Sequence, residues 1–194
     1  SRLRAGGDVE LYTQSWRAAG PVRGAVLLVH GLKDHSARYA ALAQQLAAQG
    51  FAVHAFDLRG HGRAGGERVL VSSLGEYVAD LELVAAQVRA AEPGAPLFVF
   101  GHSMGGAIAT TYALDHAGEL QGLVLSAAAL RLGPDVGPGL VKITRKLGRK
   151  HPDWRVLKLK PKWFSRDPAV VEDVAGADPL VDARKVPAAT ATST

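Results

Sequence analysis

The stretch FVFGHSMGG, from Phe98 to Gly106, decides the fold of this 194-residue chain. Its first residues form an apolar run typical of a buried strand, and the small residues that follow, GGAIATTYA, are typical of a helix packed against that strand. Between them lies the pattern G-x-S-x-G, which forms a tight turn and exposes its serine at the carboxyl end of a strand. The stretch therefore predicts a strand–turn–helix unit with Ser103 at its tip.

Short apolar runs alternate with longer amphipathic segments on both sides of this unit. Alternation or continuous apolar character predicts strands at Val9–Trp16, Ala25–His30, Phe51–Phe56, Leu97–Phe100 and Leu123–Leu125. Helical periodicity with start and stop residues predicts helices that run from Ser36 to Gly50, from Leu74 to Pro93 and from Met104 to Asp115. Repeated strand–helix–strand order favours an α/β fold with a mostly parallel sheet and helices on both faces.

The composition is that of a globular protein, with 47% hydrophobic and 21% charged residues. Cysteine is absent, which excludes disulfides and thiolate metal sites. Apolar runs such as GAVLLVHGL are too short to span a bilayer. We expect a cytoplasmic protein that also associates with membranes, and because the sequence begins with Ser1 rather than Met, a removed leader stays open.

Three parts are expected along the chain: a core at 1–130, a cap over one end of the sheet at 131–175, and a partly disordered tail at 176–194. Glycine and proline interrupt the pattern after Leu130. The cap contains most of the chain's excess positive charge, with ten basic residues and a single acid, Asp153, between Lys142 and Arg166. Such a segment is either a solvated face or a contact for anionic partners.

The turn at Ser103 predicts a nucleophile. The N–H of Met104 would point at a developing oxyanion, assisted by the N-terminus of the following helix. A second oxyanion donor is expected in the loop HGLKDHSARY, where Leu32 is the candidate. His30 and His102, at strand ends beside the turn, are interpreted as packing and hydrogen-bonding supports. The alternative is that Ser103 merely caps a helix.

Four motifs in order, HGLKDHSARY, FDLRGHGRAGGER, GHSMGGAIA and SRDPAVVEDVAGADPLV, resemble those of the monoacylglycerol lipases in the α/β-hydrolase superfamily. The resemblance covers nearly the whole chain, with a departure at Ala64, where the family usually has serine. It implies an α/β-hydrolase fold with a cap, and an ester hydrolase that acts on monoacylglycerols or similar small lipid esters through an acyl-enzyme. No metal or organic cofactor is implied, because acyl transfer through serine needs none.

The resemblance also assigns roles to particular residues. It implies Ser103 as the nucleophile and the backbone of Leu32 and Met104 as the oxyanion hole. The residues expected near the polar head of the substrate are Asp34, Arg38 and His102. The segment 131–175 corresponds to a lipid-facing cap, in which Trp154, Trp163 and Phe164 interleave with aliphatic residues and cations, and we expect it to contact anionic membrane surfaces.

Family members continue beyond the motif DPLV with two more strands, which carry the Asp and His of the triad. This chain stops at Thr194, so those strands and the expected base are predicted to be absent. Three explanations remain open: the base is lost by truncation or proteolysis, a partner supplies it, or another histidine replaces it. His35 and His102 are the histidines expected nearest to Ser103. The strand Gly122–Ser126 would then be an unprotected apolar edge, which predicts a homodimer, aggregation or a complementing C-terminal fragment.

Three other functions were weighed against hydrolysis. The glycines of GHGRAG match a dinucleotide-binding pattern, but no helix opens on them and the acid at the right distance, Asp80, lies inside a helix. The basic segment with Trp154 could hold nucleic acid, but its interleaved aliphatic residues suit an amphipathic cap better, so no nucleic-acid partner is expected. The third is a catalytically impaired, lipid-binding protein with a hydrolase-like body but no working triad.

Overall fold

The computed structural model of the chain describes residues 1–131, 142, 146, 148–158, 160, 165–172 and 177–190. Among them the strands are β1 (Arg2–Arg4), β2 (Glu10–Trp16), β3 (Gly24–Val29), β4 (Phe51–Asp57), β5 (Leu97–His102), β6 (Gly122–Ser126), β7 (Arg155–Leu157) and β8 (Val186–Pro187). The α-helices are α1 (Ala40–Ala48), α2 (Leu74–Ala91), α3 (Met104–Asp115) and α4 (Pro168–Glu172). Short 3-10 turns lie at Gly6–Asp8, Ser36–Tyr39 and Ala117–Glu119.

The main sheet has six strands in the order β1-β2-β4-β3-β5-β6. Strands β4, β3, β5 and β6 are parallel, while β2 is antiparallel to β4 and β1 is antiparallel to β2. This mostly parallel arrangement brings the carboxyl ends of β3, β5 and β6 to one edge of the sheet. Ser103 follows β5 directly and therefore lies at that edge.

Helices cover both faces of the sheet, which explains why β3 reads as a continuous apolar run. Leu27 and Val29 face a core cluster that includes Tyr77 and Leu81 of α2 and Ile108 of α3. The intervening residues of β3 face the opposite side, where they pack with Ala43 of α1. Successive side chains of a strand point to opposite faces, so one six-residue strand contributes to both layers.

Most predicted elements are present with shifts of one to three residues at their ends, while α3 has the predicted bounds. The first helix differs more. Ser36 does not cap an α-helix but begins a 3-10 turn, because its hydroxyl and its N–H both donate to Asp57, at 2.5 and 2.8 Å. A capping box between Ser73 and Glu76 starts α2, and it was not predicted from the sequence.

Residues 177–190, which were predicted to belong to a tail, pack against the core. Strand β8 pairs with β7, and Val186 and Ala188 are completely buried. The buried hydroxyl of Thr190 donates to the carbonyl of Val69 at 2.5 Å. Residues 191–194 and about half of the segment 131–175, with Trp163 and Phe164, lie outside the described residues. Within the described part of the chain, no helix has both the length and the apolar character needed to cross a bilayer.

Candidate active site

The turn between β5 and α3 holds Ser103 in a left-handed backbone conformation, with φ 52° and ψ −120°. A non-glycine residue in this region is strained, and such strain is concentrated at functional sites. Neighbouring glycines make the turn possible. A Cβ on Gly101 would lie 2.5 Å from the carbonyl oxygen of Gly105, and a Cβ on Gly105 would overlap the carbonyl oxygens of Val29 and His30.

Backbone hydrogen bonds hold this turn against the next strand. The N–H of Ser103 donates to the carbonyl of Ser126 at 3.0 Å, where β6 ends. The carbonyl of Ser103 accepts from Gly106 and from Ala129, both at 2.9 Å. The position of the serine is therefore set by β5, β6 and the first turn of α3 together, as a rigid support for a reactive group requires.

A cavity of about 280 Å³ opens beside Ser103 at this edge of the sheet. It is lined by Gly31, Leu32, Lys33, Asp34, Arg38, Tyr39, Phe100, His102, Ser103, Ser126 and Val170. All the residues predicted to form the site except Met104 are in this lining. Val170 belongs to α4, so at least one residue of the expected cap segment borders the same cavity.

The two predicted oxyanion residues are both near Ser103: Leu32 lines the same cavity, and Met104 follows the serine in the chain. Leu32 lines the cavity directly after Gly31, whose backbone touches Ser103 so closely that a Cβ there would lie 3.1 Å from the serine Cβ. Met104 is the first residue of α3, and its side chain is buried in the core. Its backbone N–H, the predicted oxyanion donor, directly follows Ser103 in the chain.

Charged and polar side chains form one wall of the cavity, which we call the polar wall and define as Asp34, Arg38, Tyr39 and His102. Asp34 accepts from the hydroxyl of Tyr39 at 2.8 Å and lies 3.4 Å from Nε of Arg38. Burial and the adjacent carboxylate of Asp34 raise the pKa of Tyr39, so its hydroxyl stays protonated and donates. The wall thus presents both donors and acceptors to a ligand with several oxygen atoms.

The histidines do not form a hydrogen bond with Ser103. Within the residues that the structure describes, the Ser103 hydroxyl has no side-chain hydrogen-bond partner. His102 lines the cavity, but its Nδ1 lies 3.1 Å from the hydroxyl of Ser126. His35 is outside the lining, and its Nε2 donates to Asp178 at 2.8 Å. His30 is buried and acts as a support, because its Nδ1 donates to the Gly31 carbonyl at 2.7 Å and its Nε2 accepts from Leu58 at 2.9 Å.

The glycine-rich loop after β4 contains Arg59, which forms a buried ion pair. Arg59 donates to both carboxylate oxygens of Asp80, at 2.7 and 2.6 Å. The Asp80 carboxylate is therefore paired inside the protein and is not available to bind a ribose hydroxyl. Gly62 has φ 51°, and a Cβ there would overlap the carboxylate of Asp57. The glycines serve close backbone packing, which argues against a dinucleotide site.

Sequence reasoning missed six residues of the cavity lining: Gly31, Lys33, Tyr39, Phe100, Ser126 and Val170. Ser126 could have been found, because it ends a parallel strand adjacent to β5 and carboxyl ends of parallel strands meet at one edge. Val170 is distant from Ser103 in the chain, and although a cap was expected over one end of the sheet at 131–175, the sequence does not single out Val170 within it. Among the described residues, no group of three His, Asp or Glu side chains is arranged to bind a metal ion.

A family model described as "Serine aminopeptidase, S33" matches residues 20–194. The chain belongs to this family. A "Monoacylglycerol lipase" of Mycolicibacterium smegmatis is 39% identical over 94% of the chain and 65% of its own length. The human "Monoglyceride lipase" is 31% identical over 88% of the chain and 56% of its own length. The chain thus spans less than two thirds of the length of these relatives.

Solved structures agree with this family membership. The crystal structure of a monoacylglycerol lipase from Paleococcus ferrophilus superposes with a TM-score of 0.81 at 35% identity, covering 94% of this chain and 68% of that one. A soluble variant of the monoglyceride lipase from Saccharomyces cerevisiae superposes with a TM-score of 0.86 at 26% identity, covering 100% and 66%. The predicted α/β-hydrolase fold and the resemblance to monoacylglycerol lipases are confirmed.

Proposed function

We propose that this chain carries the serine of an ester hydrolase, which acts on monoacylglycerols or similar small lipid esters through an acyl-enzyme at Ser103. The observation that carries the proposal is the strained turn of Ser103 at the border of the 280 Å³ cavity. A serine in this conformation presents its hydroxyl to a bound carbonyl carbon. The names of the relatives, monoacylglycerol lipase and monoglyceride lipase, support esters of glycerol as the substrate class.

In this proposal the Ser103 hydroxyl oxygen attacks the ester carbonyl, and its proton passes to a general base. The backbone N–H groups of Leu32 and Met104 stabilise the oxyanion, and the alcohol leaves to give the acyl-enzyme. Water then attacks the acyl carbonyl to release the fatty acid and regenerate the serine. Asp34, Arg38 and His102 bind the hydroxyl-bearing head, because their side chains form the polar wall beside Ser103.

The test is turnover of a monoacylglycerol by the 194-residue chain, with Ser103→Ala as the comparison. We expect fatty acid release and covalent labelling of Ser103 by an alkyl fluorophosphonate, both lost in Ser103→Ala. Turnover that survives this substitution would exclude Ser103 as the nucleophile. Ser126→Ala changes the other serine of the cavity lining and is therefore the matched control, in which Ser103 should still be labelled.

A second candidate is a lipid-binding protein with impaired catalysis. It is favoured by one observation: no histidine among the described residues is hydrogen-bonded to Ser103, whereas a general base needs a distance of about 2.6–3.2 Å. This candidate predicts binding of a monoalkyl glycerol ether without turnover of the corresponding ester. Loss of the base typically leaves a residual acceleration of about 10³–10⁴ over water.

Two kinds of partner belong to the proposal. The segment 131–175 would contact anionic membrane surfaces through its basic residues, of which Lys142, Lys146 and Lys158 are exposed.

The edge strand β6 would pair with a second copy of the chain or with a complementing C-terminal fragment. Val124 and Leu125 of this strand are 49% and 41% exposed, which supports a partner on this edge.

A further inference from the structure

The carboxylate of Asp178 links the segment 177–190 to the cavity. Its Oδ1 accepts from the N–H of Leu180 at 2.9 Å, which fixes the carboxylate within its own turn. Its Oδ2 accepts from Nε2 of His35 at 2.8 Å and lies 3.5 Å from Nη1 of Arg38. Pro179 follows directly and restricts the backbone of this turn further. One oxygen therefore anchors the residue, and the other faces the polar wall.

Arg38 lies between two carboxylates as a result. Its Nε is 3.4 Å from Asp34 and its Nη1 is 3.5 Å from Asp178. Asp34 is itself held by the hydroxyl of Tyr39 at 2.8 Å and by the N–H of His35 at 2.9 Å. The side chains of Arg38, His35 and both aspartates are largely buried. Two fixed acceptors on different sides of a planar guanidinium set its direction.

Asp178 is charged at neutral pH. Its partial burial acts to raise the pKa of the carboxyl, but hydrogen bonds from His35 and the Leu180 N–H outweigh this effect, and the charge of Arg38 adds to them. The pKa is therefore lowered from its ordinary value. Hydrogen bonds to charged groups are stronger than those between neutral groups, so loss of the bond from His35 is large enough to measure.

We infer that Asp178 is a positioning residue, which holds the guanidinium of Arg38 toward the oxygen-rich head of the substrate. The inference rests on the proposed function, because it concerns the same cavity. Asp178 does not line the cavity and acts only through Arg38 and His35. A carboxylate 140 residues along the chain from Arg38 thus couples the segment 177–190 to recognition of the head group.

The test compares Asp178→Asn with the matched control Asp182→Asn. Asparagine keeps the size of the side chain and an acceptor for the Leu180 N–H. It places an uncharged amide opposite His35 and Arg38 instead of a carboxylate. Asp182 lies in the same segment, but its carboxylate pairs with Arg155 and Arg184 and is not part of the cavity lining. We expect Asp178→Asn to raise KM for a monoacylglycerol about tenfold with a smaller change in kcat. A tenfold change in KM corresponds to about 1.4 kcal/mol. Asp178→Glu should restore part of the loss.

A readout without turnover separates this inference from the proposed hydrolysis. The side-chain Nε–H resonance of Arg38, assigned with Arg38→Lys, should shift in Asp178→Asn and stay in place in Asp182→Asn. An unchanged resonance, or equal KM values for the two variants, overturns the positioning role. If the wild-type chain has no turnover, the proposed hydrolysis fails, and the affinity of each variant for 1-O-decylglycerol is measured instead. A tenfold loss of affinity only in Asp178→Asn supports the positioning role. Equal affinities in the two variants overturn it.

Discussion

Gly31 and Ser103 touch across the candidate active site: a Cβ added to Gly31 would lie 3.1 Å from the Cβ of Ser103. No other residue type fits there without movement, because this distance is shorter than ordinary van der Waals contact. The contact joins the loop that carries Leu32 to the turn that carries the serine. The spacing between the proposed nucleophile and one proposed oxyanion donor therefore depends on the absence of a side chain at position 31.

Gly31→Ala should displace Ser103 by a few tenths of an ångström and slow its labelling by an alkyl fluorophosphonate by about tenfold or more, since misplacement of about 1 Å costs about 10²-fold in rate. The fold should survive. Gly118→Ala is the control, because a Cβ on Gly118 meets nothing within 4 Å. Equal labelling rates in the two variants would contradict this account of the contact.

Gly105→Ala should destabilise the protein rather than only its site. The added Cβ would overlap the carbonyl oxygens of Val29 and His30, which belong to the end of a buried strand and cannot move aside independently. We expect a loss of about 3 kcal/mol or more in the free energy of unfolding, measured in urea. Gly75→Ala, in the first turn of α2 with its nearest contact at 3.5 Å, should change stability by about 1 kcal/mol or less, in the stabilising direction.

The sequence was sufficient to predict the features that arise locally. The strand–turn–helix unit around Ser103 was predicted because the glycines, the apolar strand and the small-residue helix are adjacent in the chain. Leu32, Asp34, Arg38 and His102 were predicted to approach Ser103, and they line one cavity with it. Asp34, Arg38 and His102 were implied as site residues by the resemblance to the monoacylglycerol lipases, and the parallel strands explain the meeting place, because the carboxyl ends of such strands lie at the same edge.

Features that depend on distant contacts were not predicted. The role of Asp178 is an example, because its partners His35 and Arg38 are 143 and 140 positions away. The buried residues 186–190 are another, since short runs of alanine and threonine carry no periodicity, and here they are held by the pairing of β8 with β7 and by hydrogen bonds of Thr190 to Val69 and Val71. Ser36 was misassigned because its preference for a helix cap is outweighed by two hydrogen bonds to Asp57.

Acid should destabilise the fold through His61. Burial, with a smaller effect of neighbouring His30, lowers the pKa of His61 to about 3. In the unfolded chain its pKa is about 6.5. Between these values the unfolded state binds a proton that the folded state does not, so the free energy of unfolding should fall as pH decreases from about 6.5 to about 3, by up to about 1.4 kcal/mol per pH unit.

His61→Asn tests this assignment, because asparagine does not titrate and its amide can replace the donor that His61 Nδ1 provides to the Arg59 carbonyl at 3.0 Å. The variant should be less stable at neutral pH but should show a shallower decline of stability toward acid. Urea unfolding at several pH values between neutrality and about pH 4 gives both slopes. Parallel curves for the variant and the wild type would show that another group is responsible.

The edge strand β6 should make the isolated 194-residue chain self-associate. Among the described residues it pairs only with β5, and Val124 and Leu125, which point to opposite faces of the sheet, are both exposed. A lysine on an edge strand opposes pairing with another strand. Val124→Lys should therefore shift sedimentation at micromolar concentration toward the monomer. Leu114→Lys is the matched control, because Leu114 is 78% exposed but lies on α3, away from the strand edge. A wild-type chain that sediments as a monomer, or a control variant that is equally effective, would rule out association through β6.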